Sequence, residues 1–564
     1  MLNTYRYPKF EYRTPPEMAA PGRKGHYPVV VVGAGPVGLG TAIDLAIQGV
    51  PVLLLDNDNT VSIGSRGVCY AKRALEIMDR LGCGQALVDK GVSWQVGRTF
   101  FRDQEVYSFN LCPQPDHHRP GMINLQQYHL EERLVARAGQ LSNIDLRWNN
   151  NVVSVAAGDN GATLSVETPD GFYSVSCDWL IAADGARSHV RKLLGLDIEG
   201  RVFMDRFLIA DVVMQADFPP ERWFWFDPPF HPGQSVLLHR QADNVWRIDF
   251  QLGWDCDPEE EKKPENVIPR VRAMLGDDRP FELEWVSVYT FQCRRMRSFR
   301  HGPVFFIGDS AHQVSPFGAR GANSGFQDHD NLAWKLKLVI DGKAPDRLLD
   351  TYSEERGFAA DENILNSTRS TDFITPKSKV SLLFRNAVLG LAGKHAFARA
   401  LVNSGRLSVP SYLTQSRLNT ADEAPFSGAM VPGAPMDDAP ILGPDGNAWL
   451  LGALGNRFQL LYFVDDAAAI DGRTAVALGS LADDAVPVEP LVVARSGVAP
   501  SGLKTLIDVA GRIAERYDAT AGTAYLARPD QHVAARWRSF DPLKVRQSVA
   551  VATCNAVPVT MEAQ

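Results

Sequence analysis

Apolar positions along this chain keep three different rhythms. Short unbroken runs at residues 29–32, 52–55, 179–183 and 304–307 are bounded by glycine, proline or aspartate. Four or five apolar residues between turn formers predict buried strands. Residues 39–47 change the spacing, placing Leu39, Ala42, Ile43, Ala46 and Ile47 on one helical face. Longer helical patterns follow at 331–340 and 350–366, the first reaching back to about Asn323, and 377–404 adds another. The third rhythm is strict alternation. Val245, Arg247, Asp249 and Gln251 interleave with Trp246, Ile248, Phe250 and Leu252, predicting an antiparallel strand with one polar face. Residues 145–175 alternate likewise around turn signals at 159–161 and 169–171, and 98–101 and 106–111 are further strands. Beyond a linker rich in Ser, Pro and Asn, residues 448–464 and 491–538 alternate strands with a helix near 502–517.

Strand, glycine turn, helix and strand in sequence predict an α/β protein. At 564 residues the chain is too long for one core and divides into two or three domains. Its 45% hydrophobic and 22% charged residues are those of a globular protein, and a net charge of −8 argues against a nucleic-acid or anionic-membrane surface. Seven cysteines, with no CxxC and no Cys/His cluster, predict reduced thiols in a cytoplasmic protein and no metal site. No signal-peptide core stands at the start, and no run reaches the roughly 20 apolar residues of a membrane span. Residues 1–27, rich in Pro, Tyr and Arg, read either as an extended arm on the surface or on a partner subunit, or as disordered.

Three stretches carry chemistry. The first, at 27–56, is strand, Gly33-Ala-Gly35-Pro-Val-Gly38, helix, strand and terminal Asp56. This is a dinucleotide fingerprint in its required context: Gly33 for the tight turn, Gly35 for close approach of a pyrophosphate, and Gly38 for helix-on-strand packing. Asp56 stands where ribose hydroxyls are bound, although the motif alone does not separate FAD from NAD. The second is a strand running into Asp184-Gly185. The third, at 301–336, is a strand broken by Gly308 and Asp309, then Pro316-Phe-Gly318-Ala-Arg-Gly321-Ala322-Asn323 at a helix start. A Gly-rich turn feeding a helix exposes backbone N–H groups to an anion or polarised carbonyl.

Together the three motifs resemble the FAD-dependent aromatic hydroxylases, the single-component flavoprotein monooxygenases that include p-hydroxybenzoate, phenol and 3-(3-hydroxyphenyl)propionate hydroxylases. The resemblance implies a Rossmann-like FAD domain (28–202 and 301–405) interleaved with an antiparallel substrate sheet (203–300, joined by 97–125). A linker (406–437) and a thioredoxin-like C-terminal domain (438–564) complete the chain, whose best local match there is LARPDQHVAARW. It implies tightly bound FAD, NADPH or NADH as a transient co-substrate, and hydroxylation of a phenolic substrate by O2 through a flavin C4a-hydroperoxide. Polyketide or N-heterocyclic substrates, or a flavoprotein without oxygenase activity, are the alternatives, and a homodimer is expected.

Residue by residue, the resemblance sets Arg66 near the pyrophosphate, although the family usually has Arg-Ala where this chain has Arg66-Gly67. Gln127, with Gln126 as the neighbouring alternative, helps hold the cofactor. Asp184 and Gly185 are linked to FAD and nicotinamide, and Asp309 to the ribityl chain or ribose. Pro316 borders the reaction site, and the backbones of Ala322 and Asn323 face the flavin. His312 reads as a packed histidine, and no side chain is assigned as a base. Trp223 and Trp225 come close to the WxWxIP motif of flavin halogenases but break it at Asp227, and read as strand residues. His239, Arg247, Tyr289 and Gln292 are polar positions able to orient a substrate, each equally an ordinary sheet residue.

Overall fold

In the computed structural model, described for residues 4–19, 25–402, 407–443 and 446–556, the chain is built on three large sheets. The first has a parallel core ordered Val304–Phe306, Gly171–Ala182, Gly25–Val32, Val52–Leu55, Ile144–Arg147. Val29, Val30, Val31, Leu53, Leu54 and Leu55 are wholly inaccessible, as befits strands covered on both faces. The helices Pro36–Ile47 and Gly321–Ile340 pack together because glycine stands at their contacts. A Cβ on Gly40 would lie 2.7 Å from His329 Nε2, and one on Gly325 2.6 Å from Val37 Cγ2. The second helix starts at Gly321, two residues before the position its apolar spacing suggested.

The second sheet is antiparallel except where Arg222–Phe226 pairs in parallel with Val96–Phe101. Leu208, Val212, Trp246, Ile248 and Phe250 on one face pack on Val267 and Val271 of helix Pro264–Leu275. The opposite face carries Phe207, Phe224, Phe226, Leu237 and Phe291 toward Phe317. The polar side of strand Val245–Leu252 shares this face and is not solvated: Arg247 is 4% exposed and Asp249 9%. Trp223 and Trp225 are strand residues on the outer side, Trp225 stacked 5.1 Å from Phe100.

The third sheet has seven strands between Pro440 and Trp537. The helix expected at 502–517 is instead strand Lys504–Ile507 followed by the short helix Arg512–Arg516. Residues 504–507 pair in parallel with 491–494 and bury Leu506, so the sheet edge wins over a weak helical pattern. Buried charges dock this sheet on the first. Glu355 accepts Lys335 Nζ at 2.7 Å and Arg528 at 2.6 and 3.0 Å, while Arg73 donates to Gln531 Oε1 at 3.0 Å and to the Asp530 carbonyl at 2.7 Å.

The N-terminal arm lies on its own chain. Tyr5 stacks 4.2 Å from Tyr128, Phe10 stacks 4.4 Å from Trp148, and Tyr7 Oη accepts the Gly64 N–H at 2.9 Å.

Candidate functional site

The glycine and aspartate motifs converge on the carboxyl edge of the first sheet. Gly33 follows strand Gly25–Val32, Asp56 follows Val52–Leu55, Asp184 follows Gly171–Ala182 and Gly308 follows Val304–Phe306. This is the edge at which open parallel sheets bind dinucleotides. Gly33, at φ +102°, admits no side chain: its Cβ would stand 2.6 Å from the Ala183 carbonyl oxygen. A Cβ on Gly38 would stand 1.8 Å from the Gly33 oxygen. Gly35 and Gly185 differ, since a Cβ on either meets nothing within 4 Å. Open space beside backbone at these two points is a cradle for a ligand.

Several polar groups face that space without protein partners. Helix Pro36–Ile47 has no side-chain cap, and the first intrahelical donor is Leu39, bonded to the Gly35 carbonyl at 2.9 Å. Helix Gly321–Ile340 is likewise uncapped, and Ser324 is its first donor, so the N–H groups of Gly321, Ala322 and Asn323 have no intrahelical acceptor. Both starts present positive dipole ends. Asp184 Oδ2 accepts the N–H groups of His189 and Val190 at 2.7 and 2.9 Å, which leaves its buried Oδ1 without a hydrogen bond.

Asp309 sits within 3.9 Å of the Cβ position of Gly321 and opens to the cleft. Desolvation by the surrounding protein pushes its carboxyl up, His312 pulls it down, and Asp328 adds to the rise. Pro316 is exposed beside it, in the turn Pro316–Gly318 that precedes Ala319 at φ +49°. The Asn323 side chain is fully used in positioning: it accepts the Ala71 N–H at 2.8 Å and donates to the carbonyls of Cys69 and Ala319 at 2.9 and 2.6 Å. Only its backbone faces outward from the helix start.

Other sequence-assigned residues act through the loop 62–67. Gln127 Oε1 accepts the Gly67 N–H at 2.9 Å and its Nε2 donates to Glu131 at 2.8 Å, whereas Gln126 turns away and donates to the Ala242 carbonyl. Of the two glutamines, Gln127 orients the backbone next to the exposed Arg66. Asp56 holds the glycine turn, accepting the Ala34 N–H at 2.5 Å and the Asp58 N–H at 2.8 Å. Its carboxyl is raised by burial, against these two hydrogen bonds. His312 is 1% exposed and bonded to Asp328 at 2.6 Å, a packed histidine.

A model of the family described as "FAD binding domain" matches residues 26–367 of the chain. The chain belongs to that family. It is an FAD-dependent monooxygenase, and the open glycines, uncapped helix starts and orphaned Asp184 oxygen fit the cofactor. A 3-(3-hydroxy-phenyl)propionate/3-hydroxycinnamic acid hydroxylase of Mycolicibacterium smegmatis is 29% identical over 65% of this chain and 64% of its own length. The 12-dehydrotetracycline 5-monooxygenase/anhydrotetracycline 6-monooxygenase of Streptomyces rimosus is 30% identical over 75% of this chain and 82% of its own. Among solved structures, the flavin-dependent monooxygenase PieE in complex with FAD and substrate has a TM-score of 0.79 at 24% identity, covering 94% of this chain and 99% of that one.

Opposite the monooxygenase's cofactor edge, the inner face of the second sheet brings Asp211 and Arg222, which sequence reading passed over together with Ser65, beside three of the polar candidates it named. Ser65 Oγ donates to Asp211, and Arg247 donates to the Ser65 carbonyl at 2.5 Å and to Asp249 at 2.9 Å, latching this sheet to the Arg66 loop. Burial raises Asp211 to about 7, with Arg247 and the Ser65 hydroxyl opposing. His239 is kept neutral by burial and by Arg222 and Arg247, 3.7 Å from Cys69 Sγ. Tyr289 is 47% exposed into the cleft, where Asp309 and burial raise its phenol while Arg247 and Arg66 lower it. Of the four polar candidates, His239, Arg247 and Tyr289 share this face by strand parity and Gln292 does not. Arg222, Asp211 and Ser65 could have been found as polar residues on otherwise apolar alternating strands or beside Arg66.

Proposed function

We propose that this flavoprotein consumes NADPH or NADH and O2 to place a hydroxyl on a phenolic ring. When bound, FAD takes a hydride from the nicotinamide and activates oxygen for transfer to the ring. The observation that carries this reading is the helix start at Gly321. Its three N–H groups without intrahelical acceptors lie between the cofactor edge and an aromatic-walled sheet.

In this reading Gly33, Gly35, Gly38 and Asp56 hold the adenosine half and its ribose, and Arg66 neutralises pyrophosphate from a loop fixed by Gln127. Asp184 and Gly185 meet the cofactor at the second strand end. Gly308 and Asp309 contact the ribityl chain, with Gly318 and Gly321 shaping the turn beside it. The Ala322 and Asn323 N–H groups stabilise negative charge as it develops on the flavin ring, the kind of stabilisation given by donors fixed in advance. Pro316 borders the ring to be hydroxylated, and Phe207, Phe224, Phe291 and Phe317 exclude water from it.

The S. rimosus relative supports a second reading, in which the substrate is a fused polyketide ring. The domain limits of the sequence analysis belong to the same proposal, as do the homodimer and the cytoplasmic location. Strands 533–537, 524–527, 458–466 and 488–496 lie in that order with 524–527 antiparallel to the others, which supports a thioredoxin-like reading of the third sheet.

The test is to purify the protein, record its visible spectrum, and follow NAD(P)H oxidation and O2 uptake with a panel of phenols and fused phenolic rings, assaying peroxide in parallel. Reduction accelerated by one substrate, with O2 consumed without matching peroxide, is expected. Bound flavin whose reduction no phenol stimulates would overturn the proposal.

A further inference from the structure

Residues 56–66 run from the Asp56 turn to Arg66 without forming a helix or strand, so neighbouring elements have to hold them. The N-terminal arm does much of this. The Asn59 carbonyl accepts the Phe10 N–H at 2.8 Å, Thr60 Oγ1 donates to the Pro8 carbonyl at 2.6 Å, and the Gly64 N–H donates to Tyr7 Oη at 2.9 Å. The arm is itself tied down on either side of Tyr7. Thr4 Oγ1 donates to Glu284 of the second sheet at 2.6 Å, Tyr5 stacks on Tyr128, and Phe10 stacks on Trp148.

Gly64 is where these contacts meet. It is buried at φ +78°, and a Cβ there would stand 2.3 Å from Trp285 Cε2, so the chain passes between the Tyr7 hydroxyl and the indole with no room for a side chain. Trp285 is the strand partner of Asp211, which accepts Ser65 Oγ, and the Gly67 N–H is held by Gln127. Between these fixed residues Arg66 differs: its side chain is exposed and, among the described residues, makes no hydrogen bond and no ion pair. It lies close enough to the cleft to lower the Tyr289 phenol. An immobilised backbone carrying a free guanidinium is built to meet an anion. A buried N–H left without an acceptor is costly, and a glycine has little conformational restraint of its own, so loss of the Tyr7 oxygen would let residues 63–66 move.

We infer that Tyr7 is a positioning residue for the cofactor: its hydroxyl holds the Gly64 amide and through it sets Arg66 toward the FAD pyrophosphate. The N-terminal arm is on this inference a working part of the cofactor site, joining the second sheet at Glu284 to the Arg66 loop. The inference rests on the reading of Arg66 as the counter-charge of the pyrophosphate.

The test follows FAD release from the full-length holoenzyme by the rise in flavin fluorescence on dilution. Arg66→Gln is expected to release FAD on the order of 10²-fold faster than wild type. Tyr7→Phe keeps the ring packed against Tyr5 and Tyr128 while removing the acceptor, and is expected to release FAD about 10-fold faster. The double variant should release it no faster than Arg66→Gln alone, because Tyr7 acts through Arg66. Gly64→Ala presses the same loop from the indole side and should match or exceed Tyr7→Phe. A Tyr7→Phe holoenzyme with the wild-type rate, beside an accelerated Arg66→Gln, would overturn the inference. So would a double variant whose acceleration is the product of the two single ones, the result expected of a residue that merely supports the fold. Should Tyr7→Phe fail to fold, Gly64→Ala with and without Arg66→Gln makes the same comparison. Arg66→Gln releasing FAD at the wild-type rate would instead sink the pyrophosphate reading of Arg66, and the inference with it.

Discussion

Asp328 offers the sharpest test of how the cofactor edge is held together. This carboxylate is fully buried, and its Oδ2 accepts both the Gly308 N–H at 2.9 Å and His312 Nε2 at 2.6 Å. Its Oδ1 accepts Arg356 Nε at 2.7 Å. Burial raises it, and His312 and Arg356 outweigh that, holding the carboxyl at about 2 against an ordinary 3.8. A depression of that size corresponds to about 2.5 kcal/mol at neutral pH. Because the folded value is the lower one, this stability is present above about pH 4 and is lost as pH falls toward 2. Asp328→Asn removes more than the linkage figure. In either orientation its amide N–H2 meets a donor, and Arg356 loses its buried counter-charge, a loss of about 3–5 kcal/mol. Gly308, at φ +59°, would lose the bond that fixes the loop presenting Asp309, so FAD affinity is expected to fall with stability. Urea unfolding followed by tryptophan emission, with FAD affinity from flavin fluorescence, measures both. The gap between wild type and variant should narrow by about 1 kcal/mol from pH 6 to pH 3. A variant within about 1 kcal/mol of wild type at pH 7 would refute the reasoning.

Further outcomes follow from single contacts. Gly38→Ala sets a Cβ 1.8 Å from the Gly33 oxygen, so the helix must leave the strand and FAD affinity should drop roughly 10²-fold; unchanged affinity rules this out. Asp211, raised to about 7, makes the wild type lose stability as pH rises from about 4 to 7, by at most about 4 kcal/mol. Asp211→Asn should flatten that slope in urea melts at pH 5 and 8, and an equally steep slope would count against the assignment. Glu355→Gln strips Lys335 and Arg528 of their shared acid, costing about 3–5 kcal/mol and exposing residues 407–437 to faster limited proteolysis. Proteolysis at the wild-type rate would show that the third sheet does not depend on this cluster.

The cofactor edge was legible in sequence because its demands fall on the backbone. A strand end needs a tight turn, a helix start needs open N–H groups, and glycines supply both within a few residues of each other, as at Gly33 to Gly38. The same locality tied Asp56 to its turn. Sequence could not choose between Gln126 and Gln127, because that depends on how the helix start is rotated toward Gly67. It misread 502–517 because the deciding partner of Lys504–Ile507 is a neighbouring strand, not the segment's own spacing.

The substrate side obeys a different rule. Its residues must meet across strands, so each one's meaning depends on register and on which face of the sheet is buried. Arg222 follows Glu221 in sequence and reads as one more surface charge. Pairing of Arg222 with Gly97, and of Phe224 with Thr99, sets it among the phenylalanines. The docking cluster is more remote still, since Glu355 and Arg528 lie 173 residues apart. Alternation still leaves a usable trace: Arg222, Phe224 and Phe226 share one parity, and a single cation in an apolar series is costly unless something pairs with it. Among the described residues Arg222 makes no hydrogen bond and no ion pair, a state that pairing across strands decides and that its sequence neighbour Glu221 hides.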